Sequence, residues 1–287
     1  MMRILLIQFL LLIPSISFAQ SQKVYIVLLG GQSNMAGRGQ FEELSSINKT
    51  RVDNASKYVS IASGSKNITS LSFNSLTKRQ SNFGPELFIG IQLHEQFPNR
   101  EFLLIKEAQG GTSLYGAWNP QWTMEKALIG EIDAKRQNMK LYSKHIQVIK
   151  DLLEQLEAKG KEPVLMGMCW MQGEKDSRLE VTASEYGNNL KLFIQSYRQT
   201  LKEKNLPFVF GQINCPPRSK FPKGTEVVRQ QMSNIEKQIH HTYMIPTTMD
   251  STWQDFPKQD DNVHYNTKGQ EKLGTAFGKS LIQNSTI

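Results

Sequence analysis

The run Val24-Tyr25-Ile26-Val27-Leu28-Leu29 is apolar at almost every position and β-branched at three of them. A strand of that composition has no polar face to give to water, so it belongs in a sheet that is covered on both sides. It opens without a break into Gly30-Gly31-Gln32-Ser33-Asn34-Met35-Ala36-Gly37. Glycine reaches backbone angles that leave a neighbouring hydroxyl exposed, and open α/β sheets collect their ligands at the carboxyl edge of the strands. Ser33 is therefore the first candidate for chemistry.

Four later runs repeat the pattern. Phe102 to Ile105 leads into Gln109-Gly110-Gly111-Thr112, and Pro163 to Trp170 leads into Met171-Gln172-Gly173-Glu174-Lys175-Asp176. Phe208 to Ile213 and Thr242 to Ile245 follow. Between them, apolar residues recur every three or four positions, as on one face of a helix. Such helices are expected from Gly84-Pro85-Glu86 to about Phe97, from about Asn138 to Lys159 with Gly160 as its cap, and from a Thr182-x-x-Glu185 capping box to Leu201. Two more run from about Thr225 to His240 and from near Asn266 to the end. Phe41 to Asn82, polar and irregular, is expected to be a long surface excursion. The alternation predicts a three-layer α/β/α sandwich with a five-stranded parallel sheet.

The opening turn lacks the Gly-Lys-Ser/Thr of a phosphate-binding loop and the Gly-x-Gly-x-x-Gly of a dinucleotide site. Met35 stands where the Gly-x-Ser-x-Gly elbow of α/β-hydrolases needs glycine. A purely structural turn stays open unless Ser33 finds partners elsewhere.

Residues 1–19 carry Arg3, a short apolar run and Ser17-Phe18-Ala19, as a cleavable export signal does. Pro14 and Ser15 interrupt the run, which argues against a membrane anchor. A secreted or periplasmic chain beginning at Gln20 is expected, with residues 20–287 as one domain and no linker or repeat to divide them. The formal net charge is +8, without a Lys/Arg cluster of the kind that marks nucleic-acid binding. That surplus would suit an acidic polysaccharide. Cys169 and Cys215 each end an apolar run and are expected as buried free thiols. No His-Glu-x-x-His or Cys-x-x-Cys occurs, so neither a metal nor another cofactor is expected.

A serine hydroxyl needs a base to take its proton, and that base needs an acceptor on its other ring nitrogen. Asp261 and His264, three apart in a late loop, form the pair best placed to serve. His94 and His145 fall inside predicted helices, and His240 and His241 have no acid nearby in sequence.

Gly31 to Gly37, Gly110-Gly111-Thr112, Trp170 to Asp176 and Asp261-Asn262-Val263-His264-Tyr265-Asn266 resemble, in order and spacing, the blocks of the SGNH hydrolase superfamily. The likeness is greatest to its sialate O-acetylesterase and acetylxylan esterase branch. It implies a flavodoxin-like fold and an esterase acting on acetylated carbohydrate. Ser33 would be the nucleophile, His264 the base and Asp261 its orienter. The oxyanion hole would combine the Ser33 N–H, an N–H at Gly110 or Gly111, and the Gln172 side-chain amide. Glu174 and Asp176 would anchor their loop from behind, and Trp118, Trp122, Trp253 and Phe256 could stack on sugar rings. A carbohydrate-binding protein without turnover, or an esterase for a feruloyl, lipid or sialate ester, is the alternative.

Overall fold

The computed structural model describes residues 21–72 and 81–285. The expected export signal lies outside them. Strands β1 (Gln22–Gly31), β2 (Gly39–Gln40), β3 (Val59–Ser63), β4 (Ile68–Ser70) and β5 (Asn82–Phe83) occupy the first third. They are followed by β6 (Glu101–Ala108), β7 (Lys161–Met171), β8 (Phe208–Gly211) and β9 (Thr242–Ile245). The helices are α1 (Ser33–Ala36), α2 (Ser46–Ala55), α3 (Glu86–Gln96), α4 (Met124–Gly130) and α5 (Ala134–Gln137). Beyond them come α6 (Leu141–Ala158), α7 (Glu180–Ser184), α8 (Tyr186–Thr200), α9 (Gly224–Gln238) and α10 (Thr267–Asn284).

The central sheet has seven strands, in the order β4-β3-β6-β1-β7-β8-β9, with β4 alone antiparallel to its neighbour. The five expected strands are all present. The other two come from the segment expected as a surface excursion, which also holds α2. Val59-Ser60-Ile61-Ala62-Ser63 is too short and too mixed to stand out, yet it pairs in parallel with β6 and buries Val59, Ile61 and Ala62. Pairing with a strand far along the chain supplied what local pattern did not.

The sheet is covered on both faces. Trp170 points to one, where its ring centroid lies 4.4 Å from that of Phe193 on α8. On the other, α10 approaches closely: a Cβ on Gly167 would stand 2.5 Å from Leu281, and one on Gly211 would stand 3.5 Å from Phe277. Pairing between β1 and β7 slips at Ile26/Val27, where β7 carries one extra residue, Met166. A one-residue slip reverses the facing of every later side chain, so this bulge sets which way the outlet of β7 is aimed.

The start of α10 and the end of α6 follow local chemistry, and the start of α8 does not. Asn266 Oδ1 accepts the Gly269 N–H at 3.0 Å to cap α10, and Gly160, at φ 73°, follows α6 as expected. Thr182 does not cap α8. It lies inside α7, and its hydroxyl donates to the Asp176 carbonyl at 2.6 Å, tying that helix to the β7 outlet instead. Cys169 and Cys215 are free and buried, and burial pushes the Cys169 thiol upward. No described helix is long and apolar enough to cross a membrane.

Candidate active site

β1, β6 and β7 are neighbours, and their outlets, together with the loop ahead of α10, meet at one edge of the sheet. Ser33 is the first residue of α1, one position beyond the end of β1 plus Gln32. Gly31 permits that turn, because a Cβ there would sit 2.1 Å from the Met171 carbonyl oxygen. Ser33 is 6% exposed.

His264 Nε2 lies 2.9 Å from Ser33 Oγ, and His264 Nδ1 lies 2.5 Å from Asp261 Oδ2. Asp261 Oδ1 accepts the backbone N–H groups of Val263 and His264 at 2.8 and 2.9 Å. Asn262, at φ 56°, provides the reversal that lets residues three apart face each other. Burial alone would raise the Asp261 carboxyl, but the His264 and Val263 donors and the imidazole hold it at about 2. A carboxylate so held keeps the Nδ1 proton in place and leaves Nε2 free to accept from the serine.

The loop rests on a clamp. Lys258 Nζ donates to the carbonyls of Asn214 and Asn262 at 2.6 and 2.9 Å, over the Trp253 ring, whose Nε1 donates to Asn262 Oδ1 at 2.8 Å. Burial pushes the Lys258 ammonium down to about 8.

Asn34 joins the β1 outlet to the β7 outlet and to the loop ahead of α10. Its Nδ2 donates to Glu174 Oε1 at 2.7 Å and to the Val263 carbonyl at 3.1 Å, while its Oδ1 accepts the Tyr265 N–H at 3.1 Å. One buried amide thus ties the residue after Ser33 to both neighbours of His264. Nearby, Lys106 donates to the Ala36 carbonyl and pairs with buried Glu86 at 2.6 Å, fixing the far end of α1.

Gln172 is fully buried and does not line the cleft. Its Nε2 is directed to Asp176 Oδ2 at 2.5 Å and the Thr112 carbonyl at 3.1 Å, with Gln32 Oε1 more distant at 3.4 Å. Its two hydrogens are already engaged, so this arrangement makes it a brace between outlets rather than a free donor. Asp176 also accepts the N–H groups of Leu114 and Tyr115, both at 2.9 Å. Burial pushes its carboxyl up to about 7 against the pull of these donors. The N–H groups of Ser33, Gly110 and Gly111, by contrast, make no hydrogen bond to any described residue.

The aromatic expectations fare differently. Trp118 is fully buried, edge-on to Trp170 at 5.0 Å, with Nε1 donating to Thr112 Oγ1, so it is core and not a sugar platform. Trp122 and Trp253 do not line the cleft, and Lys140 and Lys258 cover their rings. Phe256 packs on Tyr265 and borders a separate cavity beside α10. His145 is a core residue, bonded to the Tyr197 hydroxyl and the Ile105 carbonyl, and burial pulls it down to about 4.

The cleft over Ser33 holds about 910 Å³. Its walls carry Arg38, Arg136, Lys175, Arg178 and Arg218. Its three carboxylates are engaged within the protein, Asp133 with Arg136, Asp261 with His264 and Glu174 with Asn34. Arg38, Lys175, Arg178 and Arg218 form no ion pair with a described residue. Among the described residues no cluster of three His, Cys, Asp or Glu side chains could hold a metal ion. Sequence pattern missed Asn34, Arg136 and Lys258, although Asn34 stood beside Ser33 in the opening turn.

Three solved structures share the fold. A protein from Arabidopsis thaliana aligns with a TM-score of 0.65 at 18% identity, covering 91% of this chain and 98% of its own. A carbohydrate acetylesterase from Xanthomonas citri gives 0.62 at 16%, covering 91% of this chain and 56% of its own. NanS gives 0.61 at 14%, covering 92% and 98%. Comparison with curated proteins gives no sequence match. A family model described as carbohydrate esterase, sialic acid-specific acetylesterase, matches residues 22–283. Those residues take in every outlet that meets at Ser33, and the chain belongs to that carbohydrate esterase family.

Proposed function

We propose that this protein is a serine esterase that removes O-acetyl groups from carbohydrate. The observation that carries the proposal is the hydrogen-bonded line from Ser33 Oγ through His264 to Asp261, at 2.9 and 2.5 Å, open to a cleft large enough for a sugar.

His264 Nε2 takes the Ser33 proton as Oγ bonds to the acetyl carbon, and the carbonyl π electrons move onto oxygen. The resulting oxyanion meets the unengaged N–H groups of Ser33 and the Gly110-Gly111 turn. Collapse expels the sugar oxygen, which takes the proton from His264. Water then repeats the sequence on the acetyl-serine, releasing acetate and restoring Ser33. Each preorganised donor is typically worth ~3–4 kcal/mol at such an oxyanion.

The four unpaired cations favour a sugar that bears a negative charge, which accords with the sialic acid named in the family description. Residues 1–19 serve as an export signal cleaved before Gln20, bringing the enzyme to extracellular or periplasmic glycan.

Acetate release from O-acetylated sialic acid, acetylated xylan and p-nitrophenyl acetate, with Ser33→Ala as the blank, tests the proposal. Turnover of at least one sugar acetate that vanishes in the variant supports it. Turnover that survives the variant, or none with any substrate, contradicts it.

A further inference from the structure

The peptide that joins Gly110 to Gly111 lies against the nucleophile, for a Cβ on Gly110 would stand 3.7 Å from the Cβ of Ser33. Neither flanking residue has a side chain, and Gly111 sits at φ 72°, in the left-handed region. A peptide between two glycines rotates with little steric resistance, because the clashes that restrict other residues come from Cβ. The two orientations are opposite in effect. In a trans peptide the N–H and C=O point opposite ways, so a half-turn would exchange a donor for a carbonyl dipole that repels a developing oxyanion.

The adjacent groups are already held. The Gln109 N–H donates to the Gly31 carbonyl at 3.1 Å, Thr112 Oγ1 donates to the Gln109 carbonyl at 2.7 Å, and the Thr112 carbonyl accepts from Gln172. For the Gly110 carbonyl the single partner among described residues is Arg136 Nε, at 3.1 Å. Arg136 is itself fixed. Asp133 Oδ1 accepts its backbone N–H at 2.9 Å and Asp133 Oδ2 pairs with its guanidinium. The guanidinium also lies within 4 Å of the place a Gly111 Cβ would take.

We propose that Arg136 is the positioning residue of the oxyanion hole: by holding the Gly110 carbonyl it locks the Gly110–Gly111 peptide and directs the Gly111 N–H to the ester oxygen. A charged donor on the carbonyl also polarises the peptide and strengthens that N–H as a donor. This inference rests on the esterase proposal and assigns Arg136 a task distinct from that of the other cleft cations, none of which bonds the Gly110 carbonyl.

The test uses p-nitrophenyl acetate, an uncharged ester that needs no recognition of a sugar. Wild type and Ser33→Ala are measured first. Loss of turnover in that variant supports the esterase proposal alone, whereas absence in wild type or persistence in Ser33→Ala overturns both proposals. Arg136→Ala is then expected to lower kcat by roughly 10–100-fold with KM within about threefold, a fraction of the loss seen when a donor is removed outright. Affinity for a boronic acid that forms a tetrahedral adduct on Ser33 should fall in parallel, and guanidinium added to the buffer should restore part of kcat. A kcat within twofold of wild type, or a loss confined to KM, would overturn the inference. If Arg136→Ala does not fold, Arg136→Gln and Asp133→Asn carry the same measurement. The first should lose kcat strongly and the second weakly, and full kcat in Arg136→Gln is again the contrary result.

Discussion

The loop carrying Asp261 and His264 and the loop carrying Gln172 and Asp176 both end beside Ser33, and they are held by opposite means. In the first, the key contacts span three residues, and the Asp261 side chain is 46% exposed. In the second, Gln172 and Asp176 are fully buried, and their partners at Thr112, Leu114 and Tyr115 lie about sixty positions away. Under the proposed mechanism the exposed loop meets the substrate and passes a proton. The buried one braces the segment that follows the Gly110-Gly111 turn, through the Gln172 amide hydrogens and the Asp176 carboxyl oxygens. Under that mechanism proton transfer and support of the oxyanion turn fall to separate loops, joined through Asn34.

The exposed side yields the largest expected effect. Ser33→Ala or His264→Ala should lower kcat by about 10⁴-fold or more without changing the melting temperature greatly. Asp261→Ala should cost less, about 10²-fold, because water can reach His264 Nδ1 in its place, whereas loss of a buried orienting aspartate costs ~10⁴. Equal losses for Asp261 and His264 would show that exposure does not soften the orienting contact. Both are read from kcat on p-nitrophenyl acetate.

On the buried side, Gln172→Ala leaves the Asp176 carboxylate and the Thr112 carbonyl short of a donor. It should destabilise the fold by about 1–3 kcal/mol, seen in urea melts, along with a fall in kcat. A fall in kcat with an unchanged melt would instead return Gln172 to the oxyanion hole, as the sequence motif suggested.

A further effect concerns pH. Asp176 titrates at about 7 in the fold, above its ordinary value, so the folded state binds more protons than the unfolded state across the interval from about 4 to 7. Its contribution to stability therefore declines as pH rises through that window and is level above it. The stability difference between wild type and Asp176→Asn, measured by denaturant melts from pH 5 to 8, should drift in that direction. A constant difference would mean that Asp176 keeps one charge state throughout.

The same contrast explains what could be read in advance. Ser33, Asp261 and His264 announced themselves because each sits in a short polar outlet after an apolar run or within one turn of its partner. Five of the seven sheet strands were legible as apolar runs, but β3 and β4 acquire their identity only by pairing with β6 and with each other. Asn34 and Arg136 were hidden for a related reason. Their partners are Val263, Tyr265, Glu174 and Gly110, which no spacing rule connects to them. Trp118 misled because an aromatic near an outlet looks the same in sequence whether it faces the cleft or, as here, Trp170.

Activation of Ser33 by His264 can be read by covalent labelling. A fluorophosphonate loses fluoride as Ser33 Oγ bonds to phosphorus, and mass spectrometry locates the adduct. One adduct is expected, on the peptide containing Ser33, formed in step with the loss of esterase activity and strongly slowed in His264→Ala. Inactivation with the adduct on another residue, or full activity after stoichiometric labelling of Ser33, would contradict it.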